Sequence, residues 1–595
     1  MKTNLVAASV IAAISTCSVN LKADETLVVT ANRIQQNANE VLADIEIINR
    51  SDIEKIRPRT LVDLLETVAG IDVVKRGGHG QNSSMFVRGT NFNQTLILID
   101  GIRIGSATLG ETPLSGIAVN QIERVEIIKG ARAAVWGSDA IGGVIQIFTR
   151  RFDSGDYQLS AEVGSNSSEA RTLAAGFGGE NFAHTFSYAM KSSDGIDARV
   201  EGDEDEDGSA NESYAINGDY LFGDAGELKW LIQNDRSYSE FDTSWGGDKT
   251  RSDNELASLR YALNISGWST SFTLASSKDK SSTFDQSTGN DESSLFVTNK
   301  KQASVLTTTK LSEKFNLVVG YDWYQDDISE TTTAFPVEER DTNSYMAGTN
   351  YIGDDWLFDL VARHDDIDGV DSRISTNAAI GYQLDESQRL SLNFSQGFKA
   401  PSFNDLYSPF GGNPDLKFET SDNYELVYKG VFDALSVTST FYRSDIDNLI
   451  QWAPTDGIWA PENVGQVKIS GATFDLNYRV EQFTHGFNVS VTEPEDKASG
   501  ERLIRRAKLQ ANYEIVYDSD NWQWGVQVNH AGNRVDSGEK LSSYTKLNLT
   551  TSYRFNEKLR MQLKINDLTE EEPVQVSGYN PLEQEIFLSV TYQNF

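Results

Sequence analysis

After residue 150 the chain alternates. Phe315, Leu317, Val319, Tyr321 and Trp323 fall on one side of an extended segment, with Asn316, Gly320 and Asp322 on the other. Trp522, Trp524, Val526 and Val528 oppose Gln523, Gly525, Gln527 and Asn529 in the same way. Leu559, Met561, Leu563 and Ile565 oppose Arg560, Gln562, Lys564 and Asn566. Trp356, Phe358 and Leu360 oppose Asp359 and Arg363, and Val361 breaks the pattern. A period of two marks strands with one apolar and one polar face. Two architectures present such faces. A water-soluble sandwich turns the apolar face inward, whereas a membrane barrel turns it to lipid and fills its lumen with polar residues. Alternation alone does not separate them, but length, aromatics near strand ends and the scarcity of helical patterning favour the barrel. At roughly 20 residues per strand and connection, residues 151–595 give about 22 antiparallel strands. Closure also removes the sheet edges that hydrocarbon would not tolerate. The expected fold is therefore an all-β transmembrane barrel in outer-membrane lipid.

Residues 1–23 read as an export signal: Lys2 is the positive start, Leu5 to Ile14 is apolar except for Ser9, and Leu21-Lys22-Ala23 offers a cleavage site. A lipoprotein reading at Cys17 meets an ill-fitting Thr16. Cys17 is the only cysteine, so cleavage after Ala23 excludes disulfides and thiolate metal sites. No later stretch holds about 18 consecutive apolar residues, so no transmembrane helix is expected. Behind the signal, residues 24–33 include Asp24, Glu25, Thr26, Leu27, Val28, Val29, Thr30 and Ala31, a short β-prone segment with nothing nearby to bury it. Such a segment suits a handle to which another protein adds a strand.

Residues 34–150 are mixed and Gly-rich. Ser51 and Glu54 have capping-box spacing. Thr60 can cap a second helix with Leu61, Leu64, Leu65 and Val68 on one face and Gly70 at its stop. Short strands are expected at 85–87, 95–99, 122–128 and 144–148. This is an α+β domain sized to plug a lumen that side chains alone would not fill. GSDAIGG lacks the Gly-Lys-Ser/Thr ending of a phosphate loop. Arg88, Arg124 and Arg132 read as structural ion-pair partners rather than ligand contacts.

FVRGTNFNQTLILIDGIRI (86–104), IERVEIIKGARAAVWGSDAIGGVIQIFT (122–149) and the preceding LLETVAGIDV resemble the plug of TonB-dependent outer-membrane transporters. DETLVVTANR resembles their TonB box, and segments within 397–426, 442–450 and 565–572 resemble their barrel. Within that class, ETLVVTANR, GGHGQNSS (77–84), NVGQVKISG and LIRRAKLQ (503–510) are most similar to cobalamin receptors. The resemblance implies a monomeric importer of a scarce, large nutrient, cobalamin, pulled through by TonB at the expense of the inner-membrane proton gradient. Gln81, Asn82, Ser83 and the loop from Arg103 to Leu114 are the expected substrate contacts on the plug. The alternative is an iron-siderophore or haem receptor; haem needs an axial ligand, for which His79 is the candidate. Catalysis has no supporting motif, so an enzyme is not expected.

Asp and Glu total 87 against 52 Lys and Arg, a net charge of −35, which argues against nucleic-acid binding. Asp203-x-Asp205-x-Asp207-Gly208 mimics the opening of an EF-hand loop, but its twelfth position is Tyr214. Crowded carboxylates nevertheless suit a hard cation. The resemblance points to calcium held by Asp197, Asp205, Asp207, Asp242 and Asp253, with Phe241 where the family is expected to have Tyr. At the C-terminus, Phe595 falls one residue out of phase with Ile586, Leu588, Val590 and Tyr592, which a bulge would correct.

Overall fold

The computed structural model describes residues 28–29, 33–34, 36–202, 204–242, 248–285, 291–455 and 458–595. The proposed export signal, Asp24 to Leu27, Thr30, Ala31 and Asp203 lie outside the described residues.

Twenty-two antiparallel strands, Tyr157–Gly164 through Glu585–Gln593, form a closed barrel. The first and last strands pair from Gln158↔Gln593 to Gly164↔Phe587, so no edge remains. One rim carries only short turns, such as 180–181, 266–267, 433–434 and 481–482, while the other carries long connections at 194–208, 328–338, 400–418, 497–508 and 567–584. Short turns mark the periplasmic rim of such barrels and long loops the extracellular one.

Alternation sorts side chains as the sequence indicates. Phe315, Val319, Trp356, Phe358, Leu360, Trp522 and Trp524 are exposed to the outside, while Asp322 and Arg363 are buried in the lumen. Rings gather at the short-turn rim, with centroids 4.8 Å apart for Phe315–Tyr351, 4.7 Å for Trp356–Tyr382 and 4.7 Å for Trp522–Tyr553. This is the interfacial aromatic girdle expected of a lipid-embedded barrel. Val361 has an inward role: with Val318 and Met346 it packs against Trp136 and Val135 of the plug.

The plug is built on a five-stranded sheet in the order Ile45–Asn49, Ile122–Lys129, Gly143–Thr149, Thr95–Ile99, Ile102–Arg103. Only the Gly143–Thr149 and Thr95–Ile99 pair is parallel. A separate hairpin joins Ile71–Lys75 to Ser83–Val87. Helices α1 (Arg50–Ile56) and α2 (Leu61–Leu65) bury Ile53, Leu61, Leu64 and Leu65 against the sheet's Val125, Ile127, Ile145 and Ile147.

Thr60 caps α2 as expected: its Oγ1 accepts from Asp63 N–H at 3.1 Å, and Asp63 accepts from Thr60 N–H at 2.9 Å. The helix is shorter than its apolar stripe suggests and ends at Leu65, before Val68 and Gly70. At α1 the cap differs from expectation. Asn49 occupies the N-cap and its N–H donates to Asp52 at 3.2 Å, so Ser51 lies inside the helix and Glu54 pairs instead with Arg50 at 3.2 Å. A further helix, α3 (Ala133–Trp136), is wholly buried. Phe595 also differs. The last strand keeps continuous register with both neighbours and ends at Gln593, so no bulge restores the phase. Phe595 lies beyond the strand and meets Phe152 edge-on at 5.5 Å.

Candidate functional site: cup, anchor and acidic cluster

The described residues of the N-terminal segment are held at two places. Val28 and Val29 pair antiparallel with Asn37 and Gln36. Just beyond, Arg33 Nη1 donates to both carboxylate oxygens of Asp322 at 2.8 Å, and its guanidinium lies 4.5 Å from the Trp136 ring centroid. Asp322 also accepts from Arg363 at 2.6 Å, and Arg363 from its other side reaches Asp365 at 2.8 Å. Two cations and two anions thus form one chain of charge, the arrangement that makes partly buried ions tolerable. No local sequence signal joins positions 33 and 322.

Deeper in the lumen, Arg88 bridges plug and barrel. It donates to Asp44 at 2.7 Å and to Glu425 of the wall at 2.9 Å, and sits 4.4 Å over the Tyr442 ring. Lys129, fully buried, stands 3.3 Å from Asp44. Burial works to raise the Asp44 carboxyl, but Lys129 and Arg88 outweigh it and hold the group well below the usual carboxylate range. Arg124 pairs inside the plug with Glu126 at 3.0 Å and covers the Phe148 ring. Arg132 is buried and donates to the Ala131 carbonyl.

At the extracellular rim, the plug hairpin ends in a Gly-rich loop lying against the barrel. A Cβ at Gly80 would collide with the Ser209 side chain, and one at Gly77 would come within 2.8 Å of Ala198. Both glycines also have positive φ, so close approach and backbone shape require glycine together. Among the expected substrate contacts, Gln81 is buried and its Nε2 donates to the Glu240 carbonyl at 2.5 Å. Asn82 and Ser83 are exposed at the loop's end. Arg103 turns into the plug, donating to the carbonyls of Ser138 at 2.5 Å and Trp136 at 3.2 Å, while its guanidinium lies 5.1 Å from Tyr324. Phe410, Trp452 and Trp459, which sequence reasoning did not single out, are exposed aromatics on elements of the long-loop rim. His79, the candidate haem ligand, is half-buried with Nε2 2.9 Å from Glu585.

The five expected metal ligands divide. Asp197, Asp207 and Asp242 each place a carboxylate oxygen within 4.8 Å of the others. Asp205 is exposed outside this group, and Asp253 is held by Asn234 at 2.6 Å beside Arg236 at 3.7 Å. Burial and then its carboxylate neighbours push the Asp207 carboxyl up to about 6, against the opposing hydrogen bond from Ala198 N–H. Gly202 completes the enclosure: a Cβ there would lie 2.8 Å from the Asp242 carboxyl. Asp197 and Asp207 lie in the connection 194–208 and Asp242 follows the strand ending at Glu240, so two neighbouring loops bring together three hard oxygens of the kind that calcium takes.

The TonB-dependent receptor plug model matches residues 37–144, and the TonB-dependent receptor-like β-barrel model matches residues 181–568. The chain is a TonB-dependent receptor. It is 32% identical over 585 residues to the vitamin B12 transporter BtuB of Photobacterium profundum, covering 96% of each chain. It is 29% identical to the vitamin B12 transporter BtuB of Vibrio vulnificus, covering 93% of this chain and 92% of that one. Solved structures share the fold: a double mutant of the ferric enterobactin receptor PfeA from Pseudomonas aeruginosa (TM-score 0.81, 18% identity, 92% of this chain and 98% of that chain) and the siderophore receptor PirA from Acinetobacter baumannii (TM-score 0.79, 17%, 92% and 98%). The receptor is an outer-membrane protein, and its family works in transport and reception.

Proposed function

We propose that this receptor imports cobalamin across the outer membrane, driven through TonB. The observation that carries the reading is the near full-length likeness to vitamin B12 transporters, 32% identical across 96% of both chains. The site chemistry agrees with it. Cobalamin is bulky, amide-rich and weakly charged, so neutral polar groups and aromatic walls suit it; Asn82, Ser83, Phe410 and Trp459 supply them. Anionic ferric siderophores would favour free cations instead. Near the apical plug loop, Arg103 is paired with Asp139, and Lys300 and Arg340 both with Asp326.

In this reading Asp24 to Ala31 form the TonB box, and strand addition at Val28 and Val29 competes with their pairing to Gln36 and Asn37. Asp197, Asp207 and Asp242 hold calcium and tie the loop 194–208 to the strand ending at Glu240. Purified receptor is mixed with cyanocobalamin and passed over a sizing column. The red chromophore co-elutes in calcium and is lost or reduced in EGTA. Absence of co-elution in calcium overturns the cobalamin reading, and equal co-elution in EGTA overturns the calcium role.

A further inference from the structure

Charge is balanced at both plug–barrel contacts described above, but it is not balanced around the segment that joins α1 to α2. Arg57 and Arg59 face a cavity of ≈ 220 Å³ between plug and barrel. Among the described residues lining it, the cations are Arg50, Arg57, Arg59, Lys191 and Arg560, and the carboxylates are Glu54 and Glu162. Glu54 is already shared: Arg50 lies at 3.2 Å, Arg560 at 3.5 Å and Arg150 at 3.9 Å. Lys191 donates to the Arg59 carbonyl at 3.3 Å, and one further ammonium group, that of Lys564, donates to the Arg57 carbonyl at 2.7 Å. Cations therefore crowd one interior chamber of a chain whose net charge is −35.

Arg59 is the least satisfied of them. Its side chain is 4% exposed, yet Nε, Nη1 and Nη2 make no hydrogen bond. Its nearest carboxylates are Glu162 at 3.4 Å and Glu585 at 3.9 Å, and the guanidinium sits 3.9 Å over the Phe587 ring. Arg57 Nη1 and Arg560 Nε are also buried without a hydrogen bond. Burial, and after it the charge of Arg560, lowers the Arg57 guanidinium to about 9. Buried donors and unmatched cations are costly unless an anion meets them.

We propose that this chamber binds a small tetrahedral oxyanion of the phosphate class, which bridges plug and barrel. Guanidinium forks pair with such oxygens bidentately, and a divalent anion supplies the charge that Glu54, Glu162 and Glu585 together lack. Hydroxyls also line the wall: Ser160 and Thr172 bond each other at 2.5 Å and Ser589 donates to Gln562 at 3.2 Å, which leaves Thr591 to turn toward an oxygen of the anion.

Inorganic phosphate is titrated into the full-length, detergent-solubilised receptor by calorimetry at constant ionic strength, with chloride as the balancing anion. One saturable site is expected. Arg59→Gln and Arg560→Gln each weaken it at least tenfold, and Arg59→Lys, which keeps charge but loses the fork, weakens it less. Arg389→Gln removes a wall cation that bonds the Asn39 and Val41 carbonyls elsewhere in the lumen, and leaves phosphate affinity unchanged. Heat-modifiable gel mobility verifies that each variant keeps a closed barrel. Sulfate in place of phosphate tests whether the site reads a tetrahedral dianion or phosphate alone. No saturable binding overturns the proposal, as does equal weakening by Arg389→Gln or full affinity in folded Arg59→Gln.

Discussion

Two of the ionic contacts that tie the plug to the barrel differ in depth. At the hub, the side chains of Arg88, Asp44 and Glu425 are 5%, 1% and 1% exposed; at the anchor, those of Arg33 and Asp322 are 15% and 12%. The hub joins the folded sheet to the wall and is sealed from water. The anchor fixes a segment whose described residues pair at two positions, Val28 with Asn37 and Val29 with Gln36. A pull applied at residues 24–31 would load the anchor first, where water can replace a broken bond, and leave the hub to hold the rest of the plug. Depth sets the order of release.

Breaking the hub should have the largest effect. Glu425→Ala leaves Arg88 buried with one partner fewer, at a cost of about 3–5 kcal/mol. Urea unfolding and protease sensitivity of the plug should both shift; unchanged curves would mean that the hub does not carry the plug. Val28→Pro comes next in severity for transport. Proline cannot donate to a strand ladder, so uptake should be abolished while substrate binding at the rim stays normal. Intact uptake would remove the handle from the mechanism.

Arg33→Ala should act more gently and only at the anchor. Protease or spin-label access to residues 24–31 should rise, with affinity at the cup changed by less than about threefold. A collapse of the whole plug would erase the distinction between anchor and hub. The smallest effect concerns pH at the acidic cluster. The Asp207 carboxyl sits at about 6 rather than 3.8. Proton uptake therefore favours the folded loop, and that contribution grows as pH falls through about 6. A cation needs the carboxylate, so calcium affinity should fall roughly tenfold per pH unit below that point. Asp207→Asn should flatten the profile, whereas Asp205→Asn and Asp253→Asn should leave it intact.

The barrel was readable in the sequence because alternation is local. Trp356, Phe358 and Leu360 declare a lipid face without knowledge of any neighbour. Even Val361 signalled something, although its partner Trp136 could not be named from spacing. Thr60 was readable for the same reason. Ser51 misled because Asn49, two residues earlier, offers an equally good cap and the chain turns there. The site was far less legible. Gln81 looks like a ligand contact until folding brings Glu240 beside it, and a run of acidic residues does not reveal which carboxylates converge. Arg33 and Asp322 are separated by 289 positions, and only barrel closure makes them neighbours.

The meeting of Phe595 with Phe152 has a consequence for biogenesis. Phe595, just beyond the strand that closes the barrel, rests on the short connection leaving the plug, beside Arg150. Shutting the cylinder and seating its stopper are thus joined at one point, so a late-arriving plug would find that corner formed without the connection that fills it.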